Sequence, residues 1–546
     1  MDKGLQEPGA NVLPGGRWGS GVAGAATLVG LTSAASLLLG FVRDVVIAAV
    51  FGASAELDAY LVAQGLMNVV LGLVAGALAK AVVPVVAPAV AAGNPQAAHR
   101  SVATALTAAV VVLGAGSVVA GLLAGEVVAV LAPGFDPATA ALAERLTRVV
   151  LVATVLIAGT NVLAAVAQSH RRFFWAGVQG IPFNLVMIVA AALFGPRYGV
   201  VALAVGFVVG SAARLLLQLV PLRQLGVRLI PVLDVRDPGF RTIAGLVPPL
   251  LLGSAVGNVN TLVDRAVASA QGEGTIAALS YGWRVVSLAD TLVVASFVVA
   301  LYPAFGAAAA PASRAELRRL VARGLTAVTL VLVPAVAGLV AAAAPVVALV
   351  YGRGSFGPEA AALTATAVAW YAPGLLPLAW REVVTRAFYA LGDSRTPVAV
   401  ALLAMAVNLA GDLTLGLALG VPGIAASTVL SLAVAAVVNT VQLSRRHRAV
   451  DSRQVALSLG RLGLAGVVAA GAAAAAVAVA QATAGPAPTS AGRDAAVRLA
   501  GAGVAVAVTY VIALVLLRAP EAAILGDGLR DVAGWLRRRR RHGRRR

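Results

Sequence analysis

The chain has 546 residues, 60% of them hydrophobic and 12% charged, with a formal net charge of +19 and no cysteine. A water-soluble protein of this length needs a far more polar surface, and without thiols no disulfide or cysteine chemistry is available. The apolar runs continue over about 20 residues or more, which fits membrane helices and not the roughly 10-residue alternation of barrel strands.

No short cleavable apolar region precedes the first span, so that span is expected to be retained, with residues 1–23 as a tail that the loop charges below put in the cytoplasm. Span 1 (24–51) carries Arg43 and Asp44 inside apolar sequence. A charge at mid-membrane costs about 2.5–3.5 kcal/mol even on insertion scales, so a chain that keeps one there generally uses it. Neighbouring helical residues point about 100° apart. Arg43 is therefore expected to face a cavity and bind an anion while Asp44 pairs elsewhere; the alternative is a buried ion pair tying helices together. Span 2 (59–90) opens at Asp58, which either caps the helix or closes an outward gate. Lys80, late in that span, snorkels to the surface.

Spans 3 to 6 cover 101–131, 139–168, 176–194 and 199–221. Span 7 (242–270) repeats the opening device as Asp264-Arg265. Two such arginines, one from each half, suit a pyrophosphate, because a planar guanidinium gives two parallel charge-assisted hydrogen bonds. Spans 8 to 10 cover 275–309, 323–350 and 359–390; Arg381, Glu382 and Arg386 spread around span 10 and read as a structural pairing. Span 11 (397–418) sets Asn408 and Asp412 one turn apart on one face. Span 12 (422–443) adds Ser427 and Thr428. Such oxygen ligands suit a small hard cation such as Na⁺; the alternatives are a proton carried by Asp412 or an interhelical hydrogen bond. Spans 13 and 14 cover 457–482 and 497–517, followed by a basic tail, 518–546. Within it Ile524–Arg546 reads as an interfacial helix and polybasic anchor to anionic lipid headgroups.

The fourteen spans alternate in loop charge. Loops after even-numbered spans carry the arginines, among them Arg171, Arg172, Arg318, Arg319, Arg445 and Arg446. That asymmetry puts both termini in the cytoplasm. It also accounts for the positive charge without nucleic acid. The halves repeat: Tyr60 matches Tyr281, Asn184 matches Asn408, and Gly199-Val200-Val201-Ala202 matches Gly423-Ile424-Ala425-Ala426, at offsets of 221 to 224 residues. The expected fold is thus all-α, polytopic, with two parallel-repeat lobes at 24–221 and 242–443, joined by a cytoplasmic linker at 222–241 and followed by two extra helices within 457–517. In such folds the substrate site lies where the halves meet, and alternating access moves one half against the other. No catalytic set, P-loop, metal cluster or dinucleotide fingerprint appears, so an enzyme is not expected.

Several motifs resemble the MurJ/MviN family of lipid II flippases, within the superfamily that includes multidrug antiporters. They are Leu39-Gly40-Phe41-Val42-Arg43-Asp44, Phe51-Gly52-Ala53 through Asp58-Ala59-Tyr60, His170-Arg171-Arg172-Phe173, Thr261-Leu262-Val263-Asp264-Arg265, and the run Thr385-Arg386-Ala387-Phe388-Tyr389-Ala390-Leu391-Gly392-Asp393-Ser394-Arg395-Thr396-Pro397. The resemblance implies a flippase in the bacterial cytoplasmic membrane. Its partner would be undecaprenyl-pyrophosphate-linked peptidoglycan precursor, carried to the outer leaflet with no cofactor. Arg43 and Arg265 match arginines that engage the pyrophosphate, and Asp58 matches an acid near the outer end of span 2. The last two helices match a groove for the lipid tail. Asn408, Asp412 and Thr428 look like a sodium site of some relatives, whose further acid falls near Gly245. The chain departs from the family pattern at Leu37, Leu71 and Gly72, where relatives carry arginine, and at Gly76, where they carry an acid. Those departures keep another lipid-linked glycan, or a chain with little transport activity, as alternatives; the rivals beside them are a drug antiporter, which would need cavity carboxylates to dominate over arginines, and a non-transporting scaffold for cell-wall synthesis.

Overall fold

The computed structural model describes residues 22–227, 229–310, 313–450, 452–483 and 491–519. The N-terminal tail up to Gly21 and the expected anchor Ile524–Arg546 lie outside them. Described residues in regular structure are helical throughout, as continuous apolar sequence in lipid requires: a helix satisfies its own backbone. Eleven helical stretches among these residues are long and apolar enough to cross a membrane. Three further helices (α2, α10 and α11 below) have 37, 32 and 33 residues. The total is consistent with the expected fourteen spans.

Two compact units divide at Glu273 and Gly274. The first holds α1 (Val22–Phe51), α2 (Ala55–Ala91), α3 (Gln96–Leu122), α4 (Ala124–Leu131), α5 (Pro137–Ser169), α6 (Phe173–Val178), α7 (Gly180–Val189), α8 (Gly195–Tyr198), α9 (Val201–Gln224) and α10 (Pro238–Ser269). Its core forms where α5 packs on α2, α3 and α9. α10 packs along α2 and so joins this unit, whereas the sequence repeat pairs it with the helices that follow.

The second unit holds α11 (Thr275–Ala307), α12 (Arg314–Ala341), α13 (Ala343–Tyr351), α14 (Pro358–Tyr371), α15 (Leu375–Ala390), α16 (Arg395–Gly411), α17 (Leu417–Leu419), α18 (Val421–His447), α19 (Ser452–Thr483) and α20 (Ala491–Leu516). α19 and α20 pack on each other and on α12, through Leu330, Val333, Leu462, Ala465, Ala469, Val506 and Tyr510.

The repeat extends to irregularities. α3 breaks into α4 at Leu123, as α12 breaks into α13 at Ala342. A π turn at Ala190–Phe194 follows α7, and another at Asp412–Gly416 follows α16. Each is closed by a glycine at positive φ, Gly199 (φ 58) and Gly420 (φ 67), a conformation that side chains oppose. Three residues after Gly420, a Cβ on Gly423 would strike the Leu415 backbone carbonyl. Gly423→Ala is accordingly expected to cost about 1–3 kcal/mol through overpacking. A drop in the thermal unfolding midpoint of the purified protein would register it.

Candidate functional site

The first unit concentrates charge around α1 and α7. Arg43 does not leave Asp44 to another partner, as the angular argument expects. Its Nε and Nη2 donate to Asp44 Oδ1 at 3.0 and 2.7 Å. A guanidinium stem is long enough to curl back along its own helix, so the Cα angle does not decide the pairing. Nη1 donates to Asn184 Oδ1 on α7 at 3.0 Å, and Asn184 Nδ2 donates to the Ser36 carbonyl at 3.1 Å. Next to Asn184, Phe183 offers its ring to Arg43, whose Cζ lies 5.8 Å from the centroid, and to Arg214 of α9, at 5.5 Å. Arg214 is a residue the motif reading passed over. Only its place in the middle of span 6 could have flagged it.

Arg265 of α10 donates from Nη1 to the Leu61 carbonyl of α2. Gly65, one turn on, makes room: a Cβ there would overlap the guanidinium. Arg265 also interacts electrostatically with Asp264 and Asp58. Asp58 is 2% exposed and sits in the first turn of α2, while Ser54 is the cap, its Oγ accepting from the Leu57 N–H. Arg43 and Arg265 thus both stand in the first unit, each held by partners within it.

The second unit holds two polar clusters. Asp412 is fully buried; its Oδ2 accepts from Asn408 Nδ2 at 2.7 Å and its Oδ1 from Ser427 Oγ. Thr428 Oγ1 donates to the Ile424 carbonyl at 3.1 Å. Carboxylate, hydroxyl and amide oxygens on α16, the π turn after it and α18 are the hard donors that an alkali cation takes, so the residues fit Na⁺ in type. Asn408, however, turns its NH₂ to Asp412 here. The other cluster places Glu382 between Arg381 (3.3 Å) and Arg386 (3.6 Å), with Arg386 Cζ 5.8 Å from the Tyr302 ring. Asp290 on α11, not singled out from sequence, interacts with Glu382 and Arg381.

The family model described as Lipid II flippase MurJ matches residues 47–486. The chain belongs to the MurJ family. A probable lipid II flippase MurJ of Vibrio cholerae is 28% identical over 451 residues, covering 80% of this chain and 86% of that one. The lipid II flippase MurJ of Burkholderia cenocepacia is 27% identical over 307 residues, 55% of this chain and 59% of its own. Among solved structures, a lipid II flippase MurJ in an inward closed conformation aligns with TM-score 0.74 at 19% identity, over 90% of this chain and 99% of that one. An inward-facing multidrug resistance transporter of the MATE family aligns with TM-score 0.65 at 16% identity, over 76% and 95%. These likenesses fix the fold. The family is one of transporters, so the expectation that the chain is no enzyme holds.

The most specific MurJ-like motif, around Asp393, makes a loop knot. Asp393 Oδ1 accepts from the Thr396 N–H at 3.0 Å and Oδ2 from Thr396 Oγ1 at 2.7 Å. His447 Nε2, at the end of α18, lies 3.2 Å from Oδ2, and Arg446 Nη1 donates to Thr396 Oγ1 at 3.2 Å. Burial alone would raise this carboxyl, but the Thr396 and His447 bonds outweigh it and hold the group at about 2. A folded value below the unfolded one, about 3.9, gives stability that is full above the unfolded value and lost as pH falls through the folded one. Asp393→Ala is therefore expected to cost roughly 1 kcal/mol at neutral pH, the scale of a lost cap, solvent screening keeping it below what the shift alone implies. The difference from wild type should fade between about pH 4 and 2, measured by denaturant unfolding across that range.

Proposed function

We propose that this chain moves a lipid-linked peptidoglycan precursor, lipid II, from the inner to the outer leaflet of the bacterial cytoplasmic membrane. The family match over residues 47–486 carries that reading, and the arginines gathered at membrane depth in the first unit support it. A pyrophosphate headgroup needs charge-assisted donors where water is scarce. Arg43, positioned by Asp44 and Asn184, presents one; Arg265, with Asp58 and Asp264, keeps a second charge in the same unit. Transport proceeds by alternating access, the headgroup meeting one leaflet's water and then the other's. The two terminal helices, α19 and α20, carry apolar exposed positions such as Val467, Val479, Val504 and Val508 that suit a polyprenyl tail.

Asp412, Asn408 and Thr428 would hold a sodium ion, which would supply a counter-charge to the Asp412 carboxylate. The hydrogen bond from Asn408 to that carboxylate keeps the amide close. Both termini lie in the cytoplasm, following the arginine-rich loops, and the basic tail holds anionic lipid.

The test is rescue. A bacterium depleted of its own lipid II flippase should regain growth and cell shape when this chain is expressed and inserted. An inserted but inactive wild type would overturn the substrate assignment. A second reading, a different lipid-linked glycan, is favoured by Leu37, Leu71 and Gly72 standing where relatives carry arginine. It predicts no rescue, together with flipping of that other glycan in reconstituted vesicles.

A further inference from the structure

We propose that Arg214 is an anion-binding residue, which with Arg43 forms a two-arginine seat on Phe183 for the diphosphate group of the transported lipid. The inference rests on the flippase reading above and adds a residue to it. Arg214 lies near the middle of α9, within a stretch long and apolar enough to cross the membrane. A cation at that depth is costly to keep and marks a pathway or a binding site. Its Nε is buried with no hydrogen-bond partner. Its Cζ lies 5.5 Å from the centroid of the Phe183 ring.

The contrast with Arg43 is chemical. Arg43 spends Nε and one N–H of each terminal nitrogen on Asp44 and Asn184, and Asp44 balances its charge. It is locked in place with one N–H still to give on each terminal nitrogen. Arg214 has no such carboxylate. With each Cζ within 6 Å of one ring centroid, the two guanidiniums stand no more than about 11 Å apart, close enough for one dianionic group to reach both. Gly210 enforces this closeness: a Cβ there would come 2.9 Å from the Phe183 ring, so its absence lets α9 lie against α7 one turn before Arg214. Two planar forks match the oxygens of adjacent phosphates, whereas a single ammonium would not.

Purified full-length protein in nanodiscs tests this with three probes: inorganic pyrophosphate, undecaprenyl pyrophosphate and phosphatidylglycerol. Arg214→Gln is expected to weaken both diphosphates by about tenfold or more, the worth of a charge-assisted contact, and Arg214→Lys by less. Phosphatidylglycerol should compete poorly; equal competition would reassign the seat to a phospholipid headgroup and overturn the proposal. Unchanged diphosphate affinity in Arg214→Gln, with wild type still rescuing the flippase-depleted strain, removes Arg214 and leaves the flippase reading intact. Arginine-dependent diphosphate binding without rescue keeps the seat and removes the lipid II assignment. Should Arg214→Gln not fold, wild type answers alone: pyrophosphate should shield Arg214 from an arginine-selective dicarbonyl, read by mass spectrometry. Equal modification, or no modification with or without pyrophosphate, would sink the idea, since a seat open to anions admits the reagent.

Discussion

Replacing Arg265 by alanine is expected to destabilise the protein by about 3–5 kcal/mol, the usual consequence of stripping one member from a buried charged group. Asp58 is almost fully buried and shares Arg265 with Asp264. Without the guanidinium, two carboxylates in the first unit lose a shared counter-charge, and the Leu61 carbonyl loses its side-chain donor. Pairing the change with Asp58→Asn should recover part of the loss, because a neutral amide tolerates the vacated space better than a carboxylate. Gly65→Ala should act in the same direction by pushing the guanidinium off Leu61. Urea unfolding in mild detergent, with intrinsic tryptophan fluorescence as probe, measures all of these. Wild-type stability in Arg265→Ala would mean that the acids are already neutral or that Arg265 carries no structural load.

Asp412→Ala should show the second largest effect, and here stability and ion dependence separate. The substitution removes the carboxylate that accepts from Asn408 Nδ2 and Ser427 Oγ in a buried site, at roughly 1–3 kcal/mol, while Ser427 keeps its bond to the Ile424 carbonyl. Asp412→Asn keeps the hydrogen-bonding shape and costs less. If sodium binds, wild type gains stability when Na⁺ replaces a bulky organic cation, by about 2.7 kcal/mol at a hundredfold excess over Kd. Asp412→Asn should lose that gain while staying folded. A wild-type melting curve indifferent to Na⁺ would retire the ion and leave Asp412 as an interhelical tie.

The fold was largely legible in the sequence because a bilayer leaves helices little choice: long apolar runs mark the spans. The site was legible only in outline. Arg43 and Arg265 announce themselves as charges in apolar sequence, but which partner each takes depends on side-chain reach. Asp44 lies beside Arg43 and pairs with it, although a helical wheel sets the two apart. The sequence repeat assigns Arg265 to the second half; packing of α10 on α2 places it in the first unit, because small residues such as Gly65 let the two helices meet closely. Arg214 and Asp290 are single charges with no motif around them, so their meaning comes only from Phe183 and Glu382, which are distant in the chain. Asp393 sits in the most specific of the motifs, but that its carboxylate ties Thr396 to His447 emerges only from the fold.

The two π turns look alike but stand differently in their halves. One begins six residues after Asn184 and the other four after Asn408, and such single-turn bulges are frequent at functional sites. Asp412 opens its own turn, whereas Ile188, at the place of Asp412 in the first copy, lies before the turn there. The same kind of distortion thus begins at a buried carboxylate in one half and at alanine in the other.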